Sequence, residues 1–312
     1  MEALHPFRFA VQASSARDPS EWRSLARRAE DLGYSTLYVP DHFDDQWGPI
    51  VALSVAAEAT SQLNVGSLVF DNDYRHPAVL AKEIATLDLV SGGRVEVGLG
   101  AGWLRSDYEQ LGLAYDSPGV RIERMTEGLQ VMKALWANAE ASFHGSHYDL
   151  NGARGLPRPY SQPHPRVVIG GGSRKILSIA AREADVVGVN LKLAAGYVGE
   201  EVISTASPAH YMERIDWVRE AAGDRFSEIE LQCLTFAVKV GPATSEYLDL
   251  IATTVSMPPE MVRTSPLALI GSVDEVIDVL QARRQEFGFS YWVVHAAEID
   301  EFAPVVERLA GV

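Results

Sequence analysis

The 312-residue sequence contains a single cysteine, Cys233. One cysteine cannot form an intrachain disulfide, a CxxC redox pair or a thiolate zinc site, so Cys233 is expected to be a buried core residue. The sequence also lacks histidine and acidic residues at the spacing of metal ligands, and no serine has the flanking glycines of a GxSxG nucleophile. These absences argue against metal-dependent and serine-hydrolase chemistry.

Long apolar runs and an excess of positive charge are missing as well. Residues 1–8 lack the basic start and apolar stretch of a signal peptide, and no apolar run reaches membrane-spanning length. The 27 basic and 42 acidic side chains give a formal charge of −15, which would repel a nucleic-acid backbone or an anionic membrane. We expect a cytoplasmic protein that binds a small-molecule substrate and neither nucleic acid nor membrane. The sequence leaves open whether it is a monomer or a homodimer.

The order of β-branched and amphipathic segments predicts the fold. Short strands alternate with longer helices, which is the pattern of parallel strands joined by helical crossovers. The eight predicted strands cover residues 7–11, 35–39, 64–69, 95–100, 166–169, 186–189, 230–240 and 291–294. With the chain length and the lack of a composition break, they predict one α/β domain over residues 1–312. Its fold would be a (β/α)8 TIM barrel with insertions in the loops at the C-terminal ends of the strands.

A doubly wound open sheet is the alternative fold for the same alternation. Its dinucleotide-binding glycine loop would follow the first strand. Residues 12–15 are Gln-Ala-Ser-Ser and contain no glycine. The barrel is therefore favoured, and its active site would be built from the loops that follow the strands.

Asp41 and His42 follow the second predicted strand. At the mouth of a barrel, a carboxylate and an imidazole can hydrogen-bond a heterocycle or move a proton near neutral pH. In the alternative interpretation, Asp41 caps its loop and His42 packs on Trp47. The spacing alone does not separate a chemical role from a structural one.

Two glycine-rich segments follow other strands. Glycines alternate from residue 98 to residue 102, where they would allow close approach of a flat ring or a bend where the barrel tapers. The glycines at 170–172 precede Ser173 and Arg174 at the start of a helix, where backbone N–H groups can bind phosphate. We favour a phosphate site there over a plain strand-to-helix turn, because Ser173 and Arg174 add donors.

The segments at these strand ends carry motifs that one known family shares. They are residues 38–43 (YVPDHF), 76–81 (HPAVLA), 91–94 (SGGR), 98–103 (GLGAGW), 163–165 (PHP), 168–172 (VIGGG), 180–185 and 269–272 (LIGS). In these motifs, spread over nearly the whole chain, the sequence resembles the luciferase-like monooxygenase superfamily and in particular its coenzyme F420-dependent oxidoreductases. The resemblance implies a barrel that holds F420, or alternatively FMN, at its mouth. It also implies hydride transfer between the deazaflavin and a small organic substrate.

The resemblance assigns roles to individual residues. His42 would be catalytic and lie near the hydride-transfer centre. The residues that would bind the cofactor are Asp41, Ser67, Leu68, Gly100, Gly102, Gly171, Gly172, Ser173 and Arg174. Among them, Asp41 would meet the polar edge of the ring, a non-prolyl cis peptide would join Ser67 to Leu68, and the last four would hold the phosphate. Lys175 and Lys192, with Arg174, are candidates to pair with the acidic tail of F420.

At one position the chain departs from the family pattern. Relatives that oxidise glucose 6-phosphate carry a catalytic glutamate where this chain has Trp103, so sugar-phosphate oxidation is not expected. Trp103 and Trp47 would instead form an aromatic wall for a flat or apolar substrate, with Tyr74 as a further substrate-binding residue. An FMN-dependent luciferase-like monooxygenase and a non-catalytic flavin-binding barrel are the alternative functions.

Overall fold

Eight parallel strands form a closed barrel in the computed structural model, which describes residues 5–193 and 195–312. In chain order, the strands of this part of the chain are β1 (Arg8–Gln12), β2 (Thr36–Val39), β3 (Asn64–Asp71), β4 (Val95–Gly100), β5 (Glu140–His144), β6 (Asp149–Arg154), β7 (Arg166–Gly171), β8 (Val186–Val189), β9 (Glu230–Leu234), β10 (Ala237–Val240), β11 (Ala268–Gly271) and β12 (Phe289–His295). The barrel consists of β1–β4, β7–β9 and β12, and its last strand pairs with its first. The predicted (β/α)8 fold is confirmed. Residues 1–4, within the segment that lacks signal-peptide features, lie outside the described residues.

Helices lie between or after the strands along the chain. They are α1 (Pro19–Asp31), α2 (Pro49–Ala59), α3 (Pro77–Ser91), α4 (Arg105–Leu111), α5 (Pro118–Ala137), α6 (Arg174–Glu183), α7 (Glu200–Ile203), α8 (Pro208–Ala222), α9 (Thr244–Thr254), α10 (Pro259–Thr264), α11 (Val273–Phe287) and α12 (Ile299–Leu309). Of these, α4, α7, α9 and α10 lie at the C-terminal end of the barrel, and the others lie on its outside. Proline occupies the first turn of α1, α2, α3, α5, α8 and α10, where its missing N–H costs no helical hydrogen bond. In the described part of the chain, no helix has the length and apolar character that a membrane crossing requires.

The seventh predicted strand, at residues 230–240, is wrong in its extent. The chain leaves the barrel at Thr235, whose backbone N–H and hydroxyl both donate to the carbonyl of Val293, at 2.9 and 2.7 Å. Beyond this point β10 pairs with β11 outside the barrel. Because apolar residues continue through the break, the sequence pattern gives no sign of it. The strands β10 and β11, with α9 and α10, form an insertion that has its own small apolar cluster.

A buried ionic network occupies the N-terminal end of the barrel. Arg8, the first residue of β1, pairs with Glu96 of β4 at 2.5 Å and with Glu230 of β9 at 2.7 Å. The hydroxyls of Tyr38 and Tyr291 also donate to the carboxylate of Glu96. Burial alone would raise the pKa of Glu96. The positive charges of Arg8 and Arg166 and the hydrogen bonds from Arg8 and Tyr38 together outweigh burial and hold this pKa below its usual value. Glu96 is therefore ionised near neutral pH and links four strands of the barrel.

We expect Glu96→Gln to destabilise the protein by about 3–5 kcal/mol at pH 7, because Arg8 loses part of its compensating charge in a buried site. The pKa of Glu96 is lower in the folded than in the unfolded state. Its contribution is therefore complete above its unfolded pKa of about 4.3 and is lost as the pH falls below that value. The difference in urea midpoint between wild type and variant should shrink from pH 7 to pH 3.

An exposed ion pair provides the control for this prediction. Asp300 lies 2.7 Å from Arg28, and both side chains are more than half exposed. Asp300→Asn should cost less than about 1 kcal/mol, because water screens the pair. If the two variants lose the same free energy of unfolding, the buried network does not stabilise the barrel as described.

Candidate functional site

A cavity of about 1020 Å³ opens at the C-terminal ends of the barrel strands. Its polar half lies at the mouth of the barrel and is lined by Gln12, Ser14, Asp41, His42, Asp71, Gly102, Arg121, Gly172, Ser173, Asn190 and Lys192, among others. Its other half is apolar and is bounded by α7, α9 and α10. This volume is at the upper end of the range for small-molecule sites.

His42 lies after β2 and lines the polar half of this cavity. Its Nδ1 is 2.7 Å from Oδ2 of Asp107, and its ring is edge-on to Trp103 with the centroids 5.6 Å apart. A carboxylate at Nδ1 favours the tautomer that carries its proton there, which leaves Nε2 as the nitrogen available to a ligand. Trp47 packs instead against Trp22, with the centroids 5.3 Å apart.

Asp107 is a site residue that the sequence analysis missed. It lies on α4, in the insertion after β4, and is 1% exposed. Besides His42, the hydroxyl of Tyr74 binds its Oδ2, at 3.1 Å. Because 65 residues separate Asp107 from His42, no local motif marks the pair. The one available signal was an acidic residue on a short segment directly after the glycine-rich strand end.

Asp41 also lines the cavity, but groups of the protein already bind its carboxylate. Arg75 donates to both oxygens, at 2.6 and 3.0 Å, and the backbone N–H of Asp71 donates to Oδ2 at 3.1 Å. The Asp41 side chain is 4% exposed. Its position is therefore fixed by the protein, and a ligand would have to share this carboxylate with Arg75.

Asp71, at the end of β3, is a second carboxyl group in the cavity wall that the sequence analysis missed. Burial raises the pKa of Asp71 to about 7, and the negative charges of Asp73 and Asp41 act in the same direction. The hydroxyl of Tyr108 donates to its Oδ2 at 3.2 Å, and the backbone N–H of Asp73 donates to its Oδ1 at 2.9 Å. Asp71 is thus a group that exchanges a proton near neutral pH.

The irregular backbone of β3 lies one residue later than predicted. The non-prolyl cis peptide joins Leu68 to Val69, so the prediction of a cis bond between Ser67 and Leu68 is wrong. Ser67 is fully buried, and its hydroxyl donates to the carbonyl of Val39 at 2.8 Å. Leu68 and Val69 line the cavity, whereas Ser67 does not. Gln12 donates to the Leu68 carbonyl at 3.1 Å and thereby ties β1 to this segment. No glycine or proline marks the cis bond in the sequence.

Gly100 and Gly102 line the cavity, and the packing around them also requires glycine. A Cβ on Gly100 would lie 2.5 Å from the side chain of Val69. A Cβ on Gly102 would collide with the hydroxyl of Tyr108, and the φ of Gly102 is 71°. The buried guanidinium of Arg121 donates to the Gly102 carbonyl at 3.3 Å and holds the loop.

The glycine segment after β7 leads into the N-terminus of α6, as predicted. Gly171, Gly172 and Ser173 line the cavity. Ser173 is the N-cap residue of α6, and its hydroxyl makes no capping hydrogen bond. The first-turn N–H groups and this hydroxyl form a site where an anion would be stabilised.

The three predicted cations near this helix start are in different surroundings. Arg174 is 61% exposed in its side chain and pairs with Glu220 of α8 at 2.6 Å. Lys175 pairs with Glu123 at 2.7 Å. Neither lines the cavity, whereas Lys192 does. Lys192 is thus the one of these three cations that faces the proposed ligand site.

The three predicted substrate-binding aromatic residues do not lie together. Trp103 lines the cavity, but Trp47 and Tyr74 do not. Tyr74 lines a separate cavity of about 420 Å³, and it reaches the site only through its hydrogen bond to Asp107. His295, the last residue of β12, lines the main cavity and was missed, because a histidine at a strand end has no distinguishing motif.

Known proteins are similar to this chain in sequence. A sequence model of the family described as luciferase-like monooxygenase matches residues 1–240. The chain is 30% identical over 169 residues to an FMNH(2)-dependent dimethylsulfone monooxygenase from Pseudomonas putida, which is 52% of this chain and 46% of that protein. It is also 30% identical over 176 residues to an F420-dependent glucose-6-phosphate dehydrogenase from Amycolatopsis mediterranei, which is 54% of this chain and 52% of that protein. The chain thus spans about half the length of these two curated relatives.

Solved structures match over a larger share of the chain. A coenzyme F420 dependent tetrahydromethanopterin reductase from Methanopyrus kandleri has a TM-score of 0.78, with 98% of each chain covered and 18% sequence identity. This likeness shows the fold. Since the family model matches 240 of the 312 residues, the chain belongs to the luciferase-like monooxygenase family.

Proposed function

We propose that this protein is an F420-dependent oxidoreductase that transfers a hydride between the deazaflavin and a small organic substrate. The observation that carries the proposal is the His42–Asp107 pair in the cavity wall. Hydride transfer to or from a carbon next to oxygen or nitrogen requires a proton donor or acceptor beside the reacting group. A histidine whose tautomer is fixed by a buried carboxylate meets this requirement.

The residues of the polar half fit a ring with a phosphate-bearing tail. Leu68, Val69 and Gly100 would lie against the ring, while the start of α6 at Gly172 and Ser173 would hold the phosphate. When bound, the cofactor would supply or accept the hydride. Relatives named for F420 and for FMNH(2) both occur, so they do not separate the two cofactors. Lys192 in the cavity wall favours F420, since the acidic tail of this cofactor would pair with a cation there.

Within this site, His42 holds or releases a proton at Nε2, and Asp107 positions the imidazole through Nδ1. The hydroxyl of Tyr74 donates to the same carboxylate oxygen of Asp107. Asp71 is the next proton-exchanging group in the wall, because its pKa of about 7 leaves both of its forms populated near neutral pH.

The choice of cofactor is tested by titrating the purified protein separately with F420 and with FMN and following the quenching of cofactor fluorescence. We expect the dissociation constant for F420 to be the lower of the two, because of Lys192 and the motif around His42. Equal or reversed affinities would favour the FMN-dependent monooxygenase. Binding of neither cofactor would contradict the proposed function.

We expect His42→Ala to lower kcat by ~10²–10⁴ and to leave the dissociation constant of the cofactor within a few fold, because it removes a general acid–base group. Asp107→Asn should lower kcat by a smaller factor at unchanged KM, since the imidazole stays but loses its fixed orientation. The rates are followed by the absorbance of F420 with a substrate found by screening.

Tyr74→Phe is the matched control, because it removes a hydrogen bond to Asp107 and leaves the His42–Asp107 pair intact. Its kcat should stay close to that of the wild type. Normal turnover by His42→Ala would assign the proton to another group, of which Asp71 is the first to test.

We expect Arg174→Ala to weaken cofactor binding by about 1–3 kcal/mol, the scale for losing a hydrogen bond to a charged group. To reach a phosphate, Arg174 must leave Glu220. Glu220→Ala should therefore leave the affinity equal or higher. If the dissociation constant of Arg174→Ala is unchanged, the backbone and Ser173 hold the phosphate without the guanidinium.

A further inference from the structure

The apolar half of the cavity has a wall of uncharged side chains that a ligand could contact. Six side chains that form its wall are Val198, Ile203, Phe236, Val255, Met257 and Met261. Among the described residues between 198 and 268 that line the cavity, none is charged. The one hydroxyl group, on Ser265, donates to the carbonyl of Ala206 at 2.8 Å and is thereby satisfied within the protein. We call this half the apolar chamber.

Several side chains of the apolar chamber are exposed to an extent that is unusual for their type. Val198 is 51% exposed, Phe236 is 55% exposed and Met261 is 44% exposed, and all three line the same cavity. Exposed apolar side chains that are scattered singly are normal, whereas a group of them around one cavity indicates a ligand-binding site. The rest of the wall is anchored, because Val255 and Met257 pack on the apolar cluster of the insertion.

One polar side chain lies next to the apolar chamber. His295 lines the cavity, and its ring is edge-on to that of Phe236 with the centroids 6.3 Å apart. Burial lowers the pKa of His295, so its imidazole is neutral near neutral pH. A neutral imidazole can donate or accept a hydrogen bond without bringing a charge into the site.

We propose that the apolar chamber is the substrate subsite, and that it takes a neutral molecule with an aliphatic or aromatic body and one polar group, such as a carbonyl, beside His295. That the ligand is a substrate rests on the proposed function. The kind of ligand that binds follows from the residues of the cavity wall alone. A phosphate or carboxylate on the body of the ligand would lie in the apolar chamber without a partner.

The test uses the protein without cofactor and the neutral fluorescent probe N-phenyl-1-naphthylamine. Met261→Glu and Phe236→Glu place a carboxylate in the apolar chamber at two separate, partly exposed positions, where a folded protein can hydrate it. Each should raise the dissociation constant of the probe at least ~10-fold, because the probe would have to desolvate the charge. Leu250→Glu is the control. Leu250 lies on α9, is 60% exposed and does not line the cavity, so its variant should bind like the wild type.

F420 titrations of the same four proteins separate the two proposals. The variants should bind F420 as the wild type does, because Met261 and Phe236 lie in the apolar half. If F420 binds but all four proteins bind the probe equally, the apolar chamber is not a ligand site. Another outcome is that Met261→Glu and Phe236→Glu bind the probe more weakly than the wild type and Leu250→Glu does not, while the wild type fails to bind F420. This outcome would contradict the proposed function but support the apolar chamber as a ligand site. Tighter binding of 8-anilino-1-naphthalenesulfonate than of the neutral probe would overturn the preference for an uncharged ligand.

Discussion

Parallel pairing around a closed ring of eight strands is the constraint on which the rest of the structure depends. Because all eight strands run in the same direction, every loop that follows a strand begins at one rim. One cavity is therefore lined by residues from almost the whole sequence, among them Gln12, His42, Asp71, Ser173 and His295. The opposite rim carries the Arg8 network instead, so stability and the proposed chemistry are placed at opposite ends of the same strands.

The two carboxyl groups at the mouth show how their surroundings set different states for one residue type. Asp41 is bound at both oxygens by Arg75, and its charge is compensated. Asp71 receives neutral donors and has Asp73 and Asp41 nearby, so burial and repulsion raise its pKa. The first is held in an ion pair with Arg75, whereas the second has a pKa of about 7. Neither state can be read from the sequence, because Arg75 and Tyr108 are brought to these carboxyls by folding.

Barrel strands could be predicted from the sequence because each is a short apolar segment bounded by turn residues. The mouth residues His42 and Gly102 and the start of α6 at Ser173 followed from their position after predicted strands. The pair formed by His42 and Asp107 could not be predicted, since it depends on how α4 folds back over the strand ends. Likewise, the ion pair of Arg174 with Glu220 depends on the packing of α6 against α8. Local sequence thus predicts where a loop begins, whereas side-chain partners across loops require the folded chain.

The chain leaves the barrel at Thr235, and this break separates the polar part of the cavity wall, which belongs to the barrel, from the apolar part, which belongs largely to the insertion. The strands and the loops that follow β1, β2, β4, β7 and β8 carry the polar groups and are part of the barrel itself. The insertion with β10, β11, α9 and α10 has a separate apolar cluster, formed by Ala237, Leu248, Ala252, Val262 and Ala268. Its inner surface can therefore diverge between related proteins, or be exchanged as a unit by an engineer, while the proton-transfer groups keep their positions.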